Sequence, residues 1–482
     1  MTSPRPLTLE FEQFANELLY EVLSHLRIED IIRSRRVCKR LQEATHQRVV
    51  WSGAYQNSKL LIPEGPTSTQ TAKDLEDILV EAAKIRRKWS TVSEAQAVSR
   101  KSLEVPSSYI YDVAMISGHY LVVATQTEIS WYDLNKDGKE QLGAPIAIYQ
   151  KENLISAGMQ LLSVQVNANR EGKDIAYVAF ASNRCIKVLK VRLPPSTASI
   201  ENAAEFPQLN YFPVRFVLEN DFLLVIKEFQ SDEDPIDLFH IPTKRKYLVP
   251  MHGRVHNLSD LNYVNYMITS THLIMTFPIT HEGKSEVELF KLPISHTASS
   301  SVSRVAISHK AVYPGVIWKA TSIFESRTPD SLQSPEVRIG ILASCYEEYN
   351  HRGVGGKTSL RYFDIIVSPI GSVEFLGHST SGVHSIEPQT TNVYATSCST
   401  ACLAITQTYT SHGQILMMHT ITPGIGAAEG NIVSNHFTLP RLPSRTRRRD
   451  GMTLISFDGF RGRILFDVQG SAQPRIDVWS MI

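Results

Sequence analysis

The sequence predicts a multidomain, mainly β protein: a small N-terminal three-helix head, a linker helix, and a C-terminal β-propeller-like domain of about seven blades. A chain of 482 residues exceeds one ordinary hydrophobic core, so several domains are expected. Its hydrophobic period is helical over about the first 90 residues and strand-like beyond them. In the strand-like part, one six-residue pattern recurs seven times. The predicted boundaries are 10–56, 57–104 and 105–482.

The head is predicted from apolar residues at helical spacing. The first helix carries Leu18, Leu19, Val22, Leu23 and Leu26, and two further stretches follow a polar break around Ile28. Three short helices cannot bury all these side chains among themselves. Part of the apolar surface therefore requires a partner.

The linker begins where Pro63 and Pro66 interrupt regular structure. Thr71 and Asp74 have the spacing of a capping box and predict that a helix starts there. Its apolar residues recur on one face of the helix, and Trp89 lies at its C-terminal end. These residues are Leu75, Ile78, Leu79, Ala82 and Ile85. We expect this helix to be a brace between the two domains.

The β domain is predicted from an apolar, any, apolar, apolar, any, apolar pattern. Its copies are Ile129–Leu134, Ile186–Val191, Ile236–Ile241, Val287–Leu292, Leu360–Ile365, a weaker one at Ile415–Thr420, and Ile476–Met481. Most follow another strand-like run, at intervals of roughly 50–70 residues, enough for a four-stranded blade with long loops. Stacking blades in a closed ring buries their apolar faces. The alternative, a pair of β-sandwiches, has no reason to repeat one pattern; leucine-rich repeats would require a shorter period and helices.

Composition excludes several classes of protein. The formal net charge is +1, so no bulk field favours nucleic acid or an anionic membrane. No apolar run reaches the ~18 residues of a membrane helix, and no signal peptide is evident. Five scattered cysteines do not form a disulfide framework, which predicts the cytoplasm or nucleus.

The segment from Phe14 to Trp51 resembles an F-box over roughly forty residues, with several apolar anchors in order. It departs from the family pattern at Ala15, where a proline is usual, and at Arg27, where an aspartate often follows the first helix. Both changes remove favourable starts of helices, at a cost of about 1 kcal/mol. The long body looks like the C-terminal region of fungal F-box proteins, though more loosely.

The F-box resemblance implies docking on a Skp-type adaptor and, through it, a cullin. The residues at matching positions are Phe14, Leu18, Leu19, Leu23, Leu26, Ile31, Ile32, Val37, Cys38, Leu41 and Trp51. Some of them must hold the helices together rather than contact the adaptor. Basic residues in the same segment suit an acidic partner surface or a solvated helix face: Arg33, Arg35, Arg36, Lys39 and Arg40.

Other motifs have plain structural interpretations. Gly353–Ser359 resembles a phosphate loop, but His351 occupies a required glycine position, so a hairpin loop is expected. Cys398 and Cys402 lack further zinc ligands, and Asp232–Asp234 fits a solvated turn. The basic run Arg441–Arg449 fits a surface loop or a localisation signal. Gly459 and Gly462 predict a tight hairpin. No catalytic, cofactor-binding or metal-binding residue is predicted.

The leading functional hypothesis is a non-catalytic substrate receptor of an SCF-type ubiquitin ligase that binds an unknown target protein. One alternative is an adaptor-bound scaffold outside the ligase. Another is an enzyme with its active site in the propeller mouth, which only missing motifs oppose.

Overall fold

The computed structural model describes most of the head, the long helix and the strands of the β domain. The described residues are 14–63, 65–66, 68, 70–91, 99–105, 110–116, 119–125, 127–135, 141–150, 165–168, 175–182, 185–192, 199–206, 213–219, 221–227, 236–250, 264–269, 271–279, 283–293, 303–314, 317–326, 337–347, 357–367, 373–380, 391–397, 402–410, 413–422, 431–437, 452–468 and 474–480.

Five helices precede the strands in the described chain. They are α1 (Asn16–Ser24), α2 (Ile28–Ser34), α3 (Lys39–Ala44), α4 (Arg48–Asn57) and α5 (Ala72–Thr91). The head therefore holds four helices where the sequence pattern separates three. The additional helix, α4, begins at the end of the resemblance, where Trp51 was expected only as an anchor.

The strands follow in chain order. They are β1 (Ser99–Glu104), β2 (Ile110–Ile116), β3 (Tyr120–Thr125), β4 (Glu128–Asp133), β5 (Ala147–Gln150), β6 (Gln165–Ala168), β7 (Ile175–Ser182), β8 (Cys185–Arg192), β9 (Ser199–Phe206), β10 (Pro213–Glu219), β11 (Phe222–Lys227), β12 (Ile236–His240), β13 (Arg245–Leu248), β14 (Asn265–Ile268), β15 (His272–Ile279), β16 (Lys284–Lys291), β17 (Ser303–Arg304), β18 (Ile307–Pro314), β19 (Ile317–Ser326), β20 (Val337–Glu347), β21 (Lys357–Val367), β22 (Val373–Thr380), β23 (Thr391–Ser397), β24 (Cys402–Thr410), β25 (Gly413–Thr422), β26 (Asn431–Phe437), β27 (Met452–Asp458), β28 (Arg463–Val468) and β29 (Arg475–Ser480).

These strands form seven sheets, in which every strand pairing except that of β13 with β17 is antiparallel. Blades 1 and 2 are β2–β5 and β6–β9, and blades 5 and 6 are β19–β22 and β23–β26. Blade 3 is β10–β13 with the short parallel strand β17 at its edge, and blade 4 is β14, β15, β16 and β18. Blade 7 is ordered β27, β28, β29, β1. The sevenfold arrangement confirms the predicted propeller.

The ring closes on its first and last strands. The first strand of every blade contacts the first strands of both neighbouring blades, so these strands line the centre. The outer strand of blade 7 is β1, which pairs antiparallel with β29 from Ser99 opposite Ser480 to Glu104 opposite Arg475. Residues 99–104, which the sequence places in the linker, are therefore part of the propeller. Their polar composition gives no strand signal, and only pairing with β29 defines them.

The recurring six-residue pattern falls on the same strand in every blade. All seven copies lie on the third strand, namely β4, β8, β12, β16, β21, β25 and β29. The third strand has hydrogen-bonded neighbours on both sides, and its apolar side chains pack on adjacent blades. That environment explains why this strand repeats most visibly in the sequence.

The core consists of seven apolar clusters, one between each pair of consecutive blades around the ring. An eighth cluster fills the head and the first half of α5. Each blade therefore buries apolar side chains against the next blade, and the closed ring completes every such interface.

Three carboxylates are buried at the second position of the repeated pattern, and they are Asp237, Glu288 and Asp477. Asp237, on β12, contacts Lys227 Nζ at 3.2 Å and Lys246 Nζ at 2.7 Å, which ties together three strands of blade 3. Asp477, on β29, accepts a hydrogen bond from Ser102 Oγ at 2.8 Å and pairs with Arg100 at 2.9 Å. Asp477 therefore holds the closing strand β1 in place.

Candidate functional site

Helix α1 carries apolar side chains on two faces. Leu19 and Leu23 are 5% and 2% exposed and belong to the core of the head. Leu18 and Val22, each one residue earlier and one helical turn apart, are 57% and 56% exposed. Leu26 continues this outer stripe just beyond the helix. The chain thus covers one apolar face of α1 and leaves the other open to solvent.

The predicted adaptor-contacting residues separate by burial. Buried in the core are Leu19, Leu23, Ile31, Leu41 and Trp51. Phe14 and Ile32 are half-buried, and Leu18, Leu26, Val37 and Cys38 are exposed. About half of the predicted set therefore belongs to the core of the head, and Leu18, Leu26, Val37 and Cys38 remain accessible to solvent.

Two further exposed apolar side chains were not among the predicted contact residues. Val22 lies between Leu18 and Leu26 on the outer stripe, and Val49 lies near the start of α4. The signal for Val22 was present in the sequence, because it lies four residues after Leu18 and four before Leu26. No comparable spacing marked Val49.

The core of the head is organised around Trp51. This side chain is fully buried, and its Nε1 donates to the Thr45 carbonyl at 2.7 Å. The Arg35 guanidinium covers the indole at 5.6 Å from the ring centroid. Helix α4 lies close to α1 at Gly53, where a Cβ would come within 2.7 Å of Ser24 Cβ. A glycine is required there for the two helices to pack this closely.

Comparison with protein families matches residues 16–57 to the F-box-like family. Residues 16–57 are an F-box-like domain. The match covers all four helices of the head, including the exposed stripe and the core beneath it.

Other comparisons add little. No curated protein matches the chain. Among solved structures, the crystal structure of an ACO/RPE65 chimera is similar with a TM-score of 0.35 at 11% identity. That likeness covers 67% of this chain and 70% of the other. An F-box-like domain followed by a seven-bladed propeller fits a non-enzymatic F-box substrate receptor.

The helices of the F-box-like domain start without side-chain caps, as the departures at Ala15 and Arg27 predicted. Neither residue caps its helix through its side chain. Arg27 Nε instead donates to Asp30 Oδ2 at 2.8 Å, and Arg33 donates to the other carboxylate oxygen at 3.1 Å. The hydrogen bond from Arg27 lowers the pKa of Asp30, with a smaller contribution from Arg33.

Two basic residues of the head, Arg35 after α2 and Arg40 in α3, have separate structural roles. Arg40 donates to the Phe14 carbonyl and, at 3.2 Å, to Asn16 Oδ1, which joins α3 to the start of α1. Arg35 donates to both carboxylate oxygens of Glu76 on α5, at 2.9 and 2.8 Å. Arg35 and Arg40 therefore make contacts within the head and with α5, whereas Arg33, Arg36 and Lys39 are exposed.

Helix α5 connects the F-box-like domain to the propeller. Its predicted capping box is confirmed: the Thr71 amide donates to Asp74 Oδ2 at 2.9 Å and the Asp74 amide to Thr71 Oγ1 at 3.2 Å. Leu75 and Leu79 are buried in the core of the head. Ile85 and Trp89 are buried between blades 6 and 7, where Trp89 lies 5.4 Å from the Phe457 ring. The helix is therefore the predicted brace.

The remaining sequence motifs have structural roles or lie outside the described residues. Gly462 has φ +61° in the turn between β27 and β28, which confirms the predicted hairpin. Lys357–Ser359 lie in β21, so the phosphate-loop-like segment leads into a strand. Cys402 is buried in β24. Outside the described residues lie Asp232–Asp234, Gly353–Gly356, Cys398 and Arg441–Arg449.

None of the described helices is both long and apolar enough to cross a membrane. Across the same part of the chain, no three His, Cys, Asp or Glu side chains form a group that could hold a metal ion.

Proposed function

We propose that this protein is the substrate-recognition subunit of an SCF-type ubiquitin ligase. The F-box-like domain docks on a Skp-type adaptor, which links it to a cullin, and the propeller binds a target protein. One observation carries the proposal: the outer stripe of Leu18, Val22 and Leu26 is exposed although the core beneath it is complete. Removing such side chains from water contributes about 25 cal/mol per Å² of buried apolar area.

The brace supports the second half of this proposal. The two halves of α5 are buried in different domains, and Arg35 and Glu76 join the head to its first half. A rigid connection holds a bound target at a constant distance from the ligase, and proximity accelerates ubiquitin transfer. The chain itself supplies no reacting group. In this proposal the protein acts in the cytoplasm or nucleus, and its functional units are the head at 10–56, the linker that contains α5, and the propeller with β1 as its closing strand.

A double substitution on the stripe tests adaptor docking. We expect Leu18→Asp with Val22→Asp to weaken adaptor binding at least tenfold, about 1.4 kcal/mol, since charges would enter an apolar interface. Titration calorimetry with purified adaptor measures this change. The matched control is Ile148→Asp with Val433→Asp, which alters similarly exposed side chains on blades 1 and 6. Unchanged adaptor affinity in the stripe variant would refute the docking surface.

Cullin recruitment separates the ligase subunit from an adaptor-bound scaffold. The full chain is mixed with adaptor and cullin, and the complex is analysed by size-exclusion chromatography. Co-elution of all three proteins is the expected result. A stable complex with the adaptor that does not recruit cullin would favour the scaffold.

A further inference from the structure

A cleft of about 590 Å³ lies where the head meets the second half of α5. It is lined by the turn between α1 and α2, by the end of α4 and the residues after it, and by α5. Most of the cleft is separate from the outer stripe of α1, and Leu26 is the residue that the two surfaces share. A cleft of this volume accommodates a few side chains of a peptide.

The rim of the cleft is strongly basic. Five of its lining residues carry positive charges, and these are Arg27, Arg33, Lys59, Arg86 and Arg87. Glu29 is the one carboxylate in the lining, and Asp30 pairs with Arg27 and Arg33 beside it. With both carboxylates counted, positive charges exceed negative ones by three, whereas the whole chain has a net charge of +1. An anionic ligand would be attracted by this field.

The floor of the cleft is aliphatic. Leu26, Ile28, Ala54, Leu60 and Ala83 contribute to its lining. Ile28, Ala54 and Leu60 are buried, so the aliphatic surface open to a ligand is mainly that of exposed Leu26 and half-buried Ala83. A phosphate or polyphosphate would neutralise the rim but would leave the side chains of Leu26 and Ala83 in contact with water. A peptide that carries both carboxylates and aliphatic side chains would match the rim and the floor together.

We propose that this cleft binds a short acidic segment of a partner protein, with aliphatic side chains on the floor and carboxylates at the cationic rim. The proposal is independent of adaptor docking. The stripe variant Leu18→Asp with Val22→Asp is therefore expected to retain this binding, which makes failure of either proposal recognisable by itself.

The test uses the full chain and a labelled synthetic peptide with a repeating Glu-Glu-Leu sequence. Fluorescence anisotropy is expected to show binding that weakens as salt rises, because screening reduces charge attraction. Arg86→Glu with Arg87→Glu is expected to weaken binding at least tenfold, about 1.4 kcal/mol. The control Lys84→Glu with Lys88→Glu makes the same charge change on α5 outside the lining and is expected to have a much smaller effect.

Three results would overturn the proposal. Equal loss of affinity in both α5 variants would show a general charge effect. Equal affinity for a Glu-Glu-Ser peptide would show that the aliphatic floor does not contribute to binding and that the cleft is a simple polyanion site. The same conclusion would follow if inorganic polyphosphate bound more strongly than the peptide and the Arg86 and Arg87 substitutions abolished that binding. Milder variants, Arg86→Gln with Arg87→Gln, keep the test valid if the reversed charges disturb folding, which circular dichroism checks.

Discussion

The F-box-like domain and the propeller differ in how they cover apolar side chains. In the described propeller, the large exposed apolar residues are Ile148, Val312 and Val433, which lie singly on three different blades. The much smaller domain exposes Leu18, Val22, Leu26, Val37 and Val49. Isolated exposed side chains are ordinary, whereas a concentrated set marks an interaction surface.

The difference follows from closure. Each blade presents its apolar face to the next, and β1 completes the ring, so every interface between blades is covered within the chain. The F-box-like domain has no such symmetry: α3 and α4 cover one side of α1, and no described segment covers the other. A closed architecture is complete by itself, and an open one is completed by a partner.

The largest expected loss of stability comes from a substitution in the closed propeller. Asp237→Ala leaves Lys227, which is 5% exposed, without its buried carboxylate. The expected loss is about 3–5 kcal/mol of the free energy of unfolding, measured by urea denaturation. Asp477→Ala is expected to cost less, because its partners Arg100 and Arg475 reach solvent. A smaller loss for Asp237→Ala than for Asp477→Ala would contradict the dominant role of burial.

An adjacent pair of leucines sharpens the comparison within α1. Leu19→Ala is expected to cost about 2–4 kcal/mol of unfolding free energy, because it leaves a cavity in the core of the head. Leu18→Ala is expected to change that free energy by less than about 0.5 kcal/mol and to weaken adaptor binding instead. Denaturation and calorimetry on the same two variants separate stability from docking. Similar stability losses for both variants would mean that the outer face is covered within the chain.

The smallest expected effect concerns the junction between the head and the brace. A double-mutant cycle with Arg35→Gln and Glu76→Gln is expected to give a coupling energy of about 1–2 kcal/mol, since the pair is bidentate and largely shielded from water. The control cycle uses Lys73 and Asp77 on the same helix, an exposed pair from which no measurable coupling is expected. Equal coupling in the two cycles would exclude a special contribution of the junction.

Much of the architecture was readable before the structure. The six-residue pattern located the third strand of every blade, and Thr71 with Asp74 located the start of α5. These features depend on local periodicity and on contacts within a few residues. The separation of Leu18 from Leu19 was not readable, because both leucines suit a helix face equally well. Strand β1 was missed because its polar residues give no strand signal, and only pairing with β29 defines it.

The sequence by itself determined the helical head, the brace helix and the repeated blade unit, because each depends on the spacing of apolar and capping residues that are close together in the chain. Only the tertiary structure decided which face of α1 stays open, how residues 99–104 close the ring, and that distant cations converge on one cleft. Those outcomes depend on which surfaces of remote segments meet. Burial and electrostatic fields are properties of that assembled geometry, and no local pattern encodes them.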